Sequence, residues 1–456
     1  MTVTRPILYE YALMGVFWVL GTIGFVCDEI ISPLESLRPY VLLACDALLI
    51  LLGLACMRHR TDVVLVVTLG VLIIVSSVPF NGLSWKHAFN GGRVFISAMF
   101  VYPIFRYFWD NAKRHDHFVK TLDKNLFLFL ALQAFCVTYQ FFLYGAGDHG
   151  GGSLGDLHSG TISMLIYLIS FYLLKKNLDH KHFWYSLWEN KMYIILLFPT
   201  FLNETKVSFV LLLLYFVLLL PIDRRFFIRT VVIAPILAMV FFVGYSVYRV
   251  TYQGEFAGTS ADNVDIFSEE YLLEYMLMDI ENAEEDATWN MENSATGLAD
   301  LPRATKFLLL AQFEEDHPGH IPLGFGVGHF KGGTKLDHTD FFYEYEWYLV
   351  GTIPYLIHIY LQLGLVGVIW FFTFWILMFV RKPDLYQERD WNLHLFIALL
   401  IALNLVYIEA MRNPVFCIPL YGLIVAGWHG GCKKKDEDEE IDDETINETT
   451  LSTTTV

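Results

Sequence analysis

Long apolar runs separated by short polar segments make up most of the chain. About 20 apolar residues cross the roughly 30 Å hydrocarbon core as an α-helix, which pairs its own backbone polar groups. The runs cover residues 8–27, 39–57, 62–80, 93–109, 125–144, 158–174, 192–202, 207–221, 226–248, 348–379, 392–410 and 413–430. The seventh is short, and the overlong tenth is expected to enter the bilayer near Pro354. The pattern predicts an all-α polytopic membrane protein with about 12 transmembrane helices.

Lysine and arginine are distributed unequally between alternate connecting segments. If the N-terminus is cytoplasmic, 21 of the 31 Lys and Arg residues lie in cytoplasmic segments and 10 in outer segments. Positive residues accumulate in the short loops on the cytoplasmic side of a membrane. The count therefore predicts that both termini are cytoplasmic.

One long segment, 249–345, connects the ninth and tenth runs and carries 19 acidic against 5 basic residues. Within it, 268–280 and 301–314 have helical apolar spacing, and Pro302 suits a helical first turn. A structureless loop of this length is uncommon. We expect a partly helical extracytoplasmic cap.

The end of the chain, 433–456, has three lysines followed by eight acids in nine residues, which predicts a disordered cytoplasmic tail. The predicted organisation is therefore helices 1–9 in 1–248, the large loop in 249–345, helices 10–12 in 346–432, and the acidic tail in 433–456.

Composition agrees with this class, with 55% hydrophobic and only 17% charged residues against about 25% charged in soluble domains. The six cysteines show no CxxC spacing, which argues against a disulfide framework or a structural zinc site. The net charge of −17 gives no reason to expect a nucleic-acid partner.

Polar groups are costly in hydrocarbon, so a functional site is expected where they gather. They gather at the predicted outer ends of the runs, whereas mid-membrane ionisable residues are few, mainly Asp46 and His358. The outer set comprises Lys86, Arg93, Asp148, Asp156, His158, Asn203, Glu204, Lys206, Arg249, Glu346, Glu409 and Arg412. This distribution favours chemistry at the outer leaflet over an ion path.

Three segments carry candidate chemistry. The hairpin FLNETKVSF, 201–209, is expected to hold Glu204 and Lys206 at the membrane surface. The alternative interpretation is a helix-hairpin turn with an interfacial charge pair.

The second segment is GAGDHGGGSLGDLHSGTISML, 145–165. Its glycines permit close approach of a ligand, and His158 begins a helix, where an anion is favoured. A flexible glycine-rich loop is the alternative.

The third segment is LPRATKFLLLAQ, 301–312, in which Arg303, Lys306, Phe307 and Leu310 share one helix face. Two cations on one face of an acidic loop suggest an anion site, and a salt bridge to nearby acids is the alternative. The glycines of the GFGVG that follows miss the dinucleotide-binding spacing and predict a turn.

Several His and Asp residues of the large loop match no familiar metal-ligand spacing, so no metal site is expected. They are His317, His320, Asp337, His338 and Asp340.

Together these features resemble the O-antigen polymerase and O-antigen ligase superfamily of membrane glycosyltransferases. The motifs are GSLGDLHSG, FLNETKVSF, Arg303 ahead of PLGFGVGHF, and YLVGTIPYLIHIYLQLGLVG with the GLxG of Gly364, Leu365 and Gly367. The ligases usually show a His-Asn pair at the outer start of span ten. Glu346-Trp347-Tyr348-Leu349 occupies that stretch here, which favours a polymerase.

The resemblance implies a GT-C-like protein of the bacterial inner membrane, with its active site on the periplasmic face. The implied reaction transfers glycan from a polyprenyl-pyrophosphate carrier, such as undecaprenyl pyrophosphate, to a sugar hydroxyl of another lipid-linked unit. The product would be O-antigen, capsule or exopolysaccharide. No cofactor or metal is implied, and a flippase and a chain-length regulator are possible partners.

Such a reaction needs a base for the acceptor hydroxyl and cations for the pyrophosphate. Glu204 is the first choice for the base, with His158 and Glu346 in reserve. The candidate substrate-binding residues are Arg303, Arg249, Lys206, Lys306, Arg93, Lys86, Arg412 and His338.

Three alternatives remain open. A ligase would move the glycan to a lipid A-core or other acceptor. A lipid-linked glycan flippase or secondary transporter would show repeats, broken helices and buried charges. A non-catalytic membrane assembly protein or receptor would show no turnover.

The predicted orientation has a direct test. A single cysteine at position 290, in an otherwise cysteine-free chain, should react with a membrane-impermeant maleimide added outside spheroplasts. A cysteine at position 440 should react only after the membrane is permeabilised. The opposite labelling pattern would contradict the cytoplasmic placement of the termini.

Overall fold

The computed structural model describes residues 5–145, 150–155, 158–179, 182–203, 207–220, 301, 303–329, 339–349 and 352–429, with single positions at 235, 239 and 288. The ninth apolar run, the predicted helix at 268–280 and the acidic tail lie outside the described residues.

Sixteen α-helices lie within the described residues, numbered in chain order. They are α1 (Arg5–Phe25), α2 (Arg38–Cys56), α3 (Arg60–Val75), α4 (Trp85–Trp109), α5 (Ala112–Tyr144), α6 (Ser159–Asn177), α7 (Phe183–Glu189), α8 (Lys191–Ile195), α9 (Pro199–Leu202), α10 (Val207–Leu219), α11 (Arg303–Asp316), α12 (Asp340–Glu344), α13 (Glu346–Leu349), α14 (Tyr355–Val380), α15 (Trp391–Tyr407) and α16 (Pro414–Ala426). A short antiparallel pair, β1 (Glu388–Arg389) and β2 (Trp428–His429), joins the segments flanking α15 and α16.

Six helical segments of the described chain are long and apolar enough to cross a membrane. They are Pro6–Ile30, Ser32–Cys56, Arg60–Phe80, Trp85–Trp109, Arg114–Tyr144 and Tyr355–Val380. Four shorter apolar helices accompany them, at Lys191–Leu202, Val210–Leu219, Trp391–Tyr407 and Pro414–Ala426. The protein is therefore an all-α membrane protein, as the sequence predicts, while the count of twelve spans stays a prediction.

Helix α6 forms the centre of the bundle. Every residue from Ser159 to Leu174 is buried, and α5, α10, α15 and α16 pack around the helix. An apolar helix covered on all sides belongs to the interior of a large bundle. Of the neighbours, α16 also packs closely on α4, where Gly422 lies against the ring of Phe105.

Helix α14 is broken at Gly364, whose φ of 65° and ψ of −166° are not helical. Residues 321–326, here called the docked loop, fill the break and pair its backbone groups. Four hydrogen bonds join them, from Phe325 N–H to Leu361 O (2.7 Å), Gly326 N–H to Gln362 O (3.0 Å), Leu365 N–H to Ile321 O (2.9 Å) and Val366 N–H to Pro322 O (3.1 Å). Buried backbone groups need such partners in an apolar bundle.

The end of α3 also binds the docked loop. Its helix continues as a π-helical turn, Ser76–Phe80. The Ser76 hydroxyl lies 2.6 Å from Leu323 O and 3.0 Å from Gln362 O, and the Asn81 amide donates to Gly324 O at 2.9 Å. The docked loop is thus held between α3 and α14.

The other end of the bundle carries its own charge pairs. Buried Asp62 of α3 pairs with Arg381, and Arg106 of α4 lies 4.0 Å from the same carboxylate. Glu10 of α1, also buried, lies 2.8 Å from His117 of α5. These pairs lie at the opposite ends of the helices from the docked loop.

We expect Gly364→Ala to destabilise the protein. A φ of 65° with a ψ of −166° is a backbone conformation essentially restricted to glycine, and it costs another residue about 1–3 kcal/mol. The added Cβ would also lie 2.4 Å from backbone atoms of Leu323 and Pro322. Gly70→Ala is the matched control, because that helical glycine of α3 has open space around it. Thermal unfolding in detergent should show a lower midpoint for Gly364→Ala only. Equal midpoints would contradict the helix break.

Candidate functional site

A small cavity, partly open to solvent, lies where α4, α14 and the turn Ala410–Arg412 meet beside the docked loop. We call it the His358 cavity. It is lined by Gly91, Val94, Phe95, Val327, His358, Gln362 and Arg412. At Gly91 the missing side chain lets the Val327 carbonyl approach, since a Cβ there would lie 1.5 Å from that oxygen.

Glu409 joins the two ionisable residues of this cavity. Its Oε2 lies 2.7 Å from Arg412 Nη1 and 3.6 Å from His358 Nδ1. His358 is in the first turn of α14 and is buried, whereas Glu409 and Arg412 follow the end of α15 and keep partial exposure. One carboxylate is therefore shared between an imidazole and a guanidinium.

The hydrogen bonds of Gln362, one turn beyond His358, indicate which nitrogen of the imidazole carries the proton. Its Nε2 lies 2.5 Å from His358 Nε2 and 3.3 Å from the His358 carbonyl oxygen. A carbonyl oxygen only accepts hydrogen bonds, so the amide group donates, and His358 Nε2 accepts. The proton of the neutral ring is then on Nδ1, which faces Glu409.

Arg303 is the first residue of α11 and lies against the end of α15. Its Nε donates to Tyr407 O at 3.1 Å, and its guanidinium stands 4.3 Å from the centre of the Tyr407 ring. Tyr407 precedes Glu409 by two residues. The predicted loop helix is therefore confirmed as α11, with Arg303 next to the segment that carries Glu409 and Arg412.

The apolar side of α11 rests on α14. Phe307 and Leu310 pack against a cluster that includes Ile357 and Leu361. Lys306 is fully buried, with Nζ 5.9 Å from the Tyr348 ring centre. The predicted face therefore points into the bundle, and Lys306 lies beneath the helix.

Arg93 is held by a buried carboxylate. Its Nη1 lies 2.9 Å from Asp46 Oδ2, and the Ser97 hydroxyl donates to Asp46 Oδ1 at 2.8 Å. The pair joins α2 to α4 beside the residues of α4 that line the His358 cavity. Lys86, in the first turn of α4, is exposed, and Glu346 begins α13 with a half-buried side chain.

The glycine-rich and FLNETKVSF motifs meet at the start of α6. His158 immediately precedes the helix, and its carbonyl accepts the Ile162 N–H at 2.9 Å. The fully buried Asn203 donates to Ser163 Oγ at 2.8 Å and to Ser159 O at 3.2 Å. The two motifs are therefore in contact.

Asn404 of α15 connects α6 to the turn that carries Arg412. Its Nδ2 lies 3.3 Å from Met164 Sδ, and its Oδ1 accepts the Met411 N–H at 3.2 Å. The start of α6 and the His358 cavity therefore share one end of the bundle.

Four predicted site residues, Glu204, Lys206, Arg249 and His338, lie outside the described residues, so their roles stay predictions. In the described part of the chain, no group of three His, Cys, Asp or Glu side chains is arranged to hold a metal ion.

His329, just past the docked loop, is an uncharged member of this region at neutral pH. Burial, followed by the nearby His87 and His320, lowers its pKa to about 4. Its Nδ1 lies 2.8 Å from Thr339 Oγ1. Positive charge next to the His358 cavity therefore comes from arginines, not from this imidazole.

Sequence reasoning assigned no role to His358, Gln362 or Glu409. A usable signal was present, because an ionisable residue inside an apolar run is a functional candidate and His358 and Gln362 share one helix face at i, i+4. Glu409 and Arg412 likewise stand at i, i+3. Their meeting with His358 across the bundle follows only from packing.

No known family model matches the chain, and no curated protein matches it either. The function is therefore argued from the site. A guanidinium suits phosphate oxygens. An imidazole whose Nδ1–H faces a carboxylate accepts a proton at Nε2. The His358 cavity thus combines groups for binding an anion and for moving a proton.

We expect Asp46→Asn to lower stability, because it leaves Arg93 without its counter-charge. Removing one partner of a buried ion pair costs up to about 3–5 kcal/mol. The control is Asp116→Asn, whose side chain is 79% exposed. Denaturation in detergent micelles, followed by intrinsic fluorescence, compares the two. If both variants unfold like the wild type, the ion pair between Arg93 and Asp46 does not stabilise the fold.

Proposed function

We propose that the protein is a metal-independent membrane glycosyltransferase that polymerises a bacterial surface polysaccharide. It transfers glycan from a polyprenyl-pyrophosphate carrier to the terminal sugar hydroxyl of another lipid-linked repeat unit. The reaction takes place at the outer face of the inner membrane. In this proposal twelve spans place both termini in the cytoplasm and residues 249–345 outside.

The observation that carries the proposal is the shared carboxylate of the His358 cavity. Glu409 contacts both the Arg412 guanidinium and the Nδ1 side of His358. An oriented imidazole next to a cation suits proton removal from one reactant and charge stabilisation on the other. Arg303 adds a second guanidinium near the same segment. The motif resemblance supplies the substrate class.

The proposed step is a single displacement. The acceptor hydroxyl oxygen forms a bond to the anomeric carbon, while the bond between that carbon and the pyrophosphate oxygen breaks. The electron pair of that bond leaves with the pyrophosphate, whose charge Arg412 and Arg303 stabilise. The hydroxyl proton passes to His358 Nε2 once the hydroxyl takes the place of the Gln362 amide. Glu409 then stabilises the imidazolium.

His358 is our candidate base from the described residues, and Glu204 stays the candidate base from the sequence. Only one of the two residues can be the group that accepts the proton of the acceptor hydroxyl. Substitution of each therefore decides the assignment.

A ligase would use the same donor and the same displacement. It differs only in its acceptor, so supplying a lipid A-core acceptor in place of a second repeat unit separates the two reactions.

The break in α14 is a feature that a lipid-linked glycan flippase would share, because broken helices form substrate sites in transporters. In this protein, however, the docked loop pairs the backbone groups of the break. The break is thus occupied by protein, which supports the enzyme over the transporter.

The test is turnover by the purified protein in nanodiscs, with polyprenyl-pyrophosphate-linked repeat units as donor and acceptor. We expect His358→Gln to lower the rate by roughly 10²-fold or more, the scale of a general base. His429→Gln, an exposed histidine at the opposite end of α16, is the control.

Glu204→Gln is measured in parallel. A normal rate for His358→Gln with a large loss for Glu204→Gln would assign the base to Glu204. Movement of intact lipid-linked units across the membrane without new glycosidic bonds would replace the enzyme by the flippase.

A further inference from the structure

Three arginines lie close to the ends of four neighbouring helices, at the end of the bundle opposite the docked loop. Arg58 is in the connection between α2 and α3, and Arg60 is the first residue of α3. Arg114 is in the first turn of α5, just after the end of α4. The proposed reaction uses none of the three.

The arginines stand where the apolar segments end. The segments able to cross a membrane run from Ser32 to Cys56 and from Arg60 to Phe80, so only residues 57–59 separate them. On the neighbouring pair of helices, one such segment ends at Trp109 and the next begins at Arg114. Connections this short cannot leave the membrane surface. The guanidinium groups are therefore at the depth of the lipid headgroups.

Two of the guanidinium groups converge on one aromatic ring. The Arg58 group lies 4.8 Å from the centre of the Tyr107 ring, and the Arg114 group lies 4.1 Å from the same centre. Tyr107 is buried in the last turn of α4, and Tyr9 meets its ring edge to face at 5.9 Å. A cation–π contact holds each guanidinium in place but does not neutralise its charge.

Neither Arg58 nor Arg114 forms an ion pair with a carboxylate of the described residues. Three carboxylates at this end of the bundle have other partners, in the pairs Asp110–His59 at 3.2 Å, Glu10–His117 at 2.8 Å and Asp62–Arg381. Arg58 is exposed and Arg114 is half-buried. Their N–H donors are therefore available to an anion from outside the bundle.

An exposed apolar surface adjoins these cations. Leu51 and Leu54, on the last two turns of α2, are exposed, and so are Val63 and Val64, in the first two turns of α3. In a membrane such side chains meet the hydrocarbon chains of lipids. A ligand that fits the whole surface therefore has an anionic group next to hydrocarbon, which a phospholipid has and a free phosphate does not.

The charged groups select among phospholipids. The planar fork of a guanidinium matches two oxygens of a phosphate. Because both forks lie so close to one ring centre, a single headgroup can contact both. A zwitterionic headgroup brings a cation that the arginines repel, whereas a headgroup with no cation keeps its full negative charge.

We infer that Arg58 and Arg114, held on the Tyr107 ring, bind the phosphate of an anionic phospholipid whose acyl chains lie along α2 and α3. Arg60 adds a positive charge at the same depth. In the predicted orientation this lipid belongs to the cytoplasmic leaflet. The site does not rest on the proposed reaction, because none of its residues takes part in it.

The test is native mass spectrometry of the full-length protein in detergent, titrated with phosphatidylglycerol. We expect the double variant Arg58→Gln/Arg114→Gln to bind the first lipid about tenfold more weakly, because charge-assisted hydrogen bonds to the phosphate are lost. Phosphatidylcholine with the same chains should bind the wild type more weakly than phosphatidylglycerol does. Millimolar inorganic phosphate should leave the bound phosphatidylglycerol in place.

The matched control is Lys175→Gln/Lys176→Gln, which also removes two positive charges at this end of the bundle. Each of these lysines already has a carboxylate partner, Asp390 at 3.7 Å and Asp123 at 2.5 Å. The control should bind phosphatidylglycerol like the wild type.

A second variant, Arg58→Lys/Arg114→Lys, guards against a loss of folding in the glutamine variant. It keeps both charges and their contact with Tyr107 but loses the two forks, so it should bind the lipid several-fold more weakly than the wild type. Thermal unfolding without added lipid shows whether each variant is folded.

Three outcomes would overturn the site. The first is equal affinity for phosphatidylglycerol in the wild type and in every folded arginine variant. The second is an equal loss in the lysine control, which would mean that only the total charge matters. The third is displacement of the lipid by inorganic phosphate, which would assign the arginines to a free anion. Normal glycan transfer alongside any of these leaves the proposed enzyme standing.

Discussion

A helix broken inside an apolar bundle leaves backbone N–H and C=O groups that neither lipid nor aliphatic side chains can pair. The docked loop meets this requirement at Gly364, with Ser76 contributing from α3. The residues around the break then follow from the pairing. Gln362 and His358 face one cavity, while Leu361 and Phe325 form part of another. Both cavities therefore depend on the same backbone contacts.

The arginines near the His358 cavity differ in how they are balanced. Arg93 is held by Asp46, which also binds Ser97, so its pairing is part of the helix packing. Arg412 shares Glu409 with His358 at the partly exposed end of α15. An anion that binds Arg412 would compete with Glu409. Within the proposed reaction, donor binding would leave the carboxylate more available to the imidazole.

How far the sequence predicts the structure depends on the range of the interactions. Apolar length and proline placement are local properties, and they located the long helices, α11, and the start of α14 after Pro354. The sequence pattern predicts an uninterrupted helix over residues 361–367. It does not reveal the break, because the docked loop that pairs the broken backbone lies some 40 residues earlier in the chain. The same holds for His358 and Glu409, which meet through packing. Lys306 lies on the same helix face as Arg303, as predicted, but its side chain is buried next to the Tyr348 ring.

The docked loop also constrains the order of assembly. Residues 321–326 are synthesised before their partners in α14, whereas Ser76 and Asn81 of the α3 end are synthesised much earlier. Ser76 lies 247 residues from Leu323 and 286 from Gln362, and contacts of such separation close late because they cost the most chain entropy. Both halves of α14 must be in place before the loop can pair with them. We therefore expect the two cavities to form only after the end of α3 and both halves of α14 have come together.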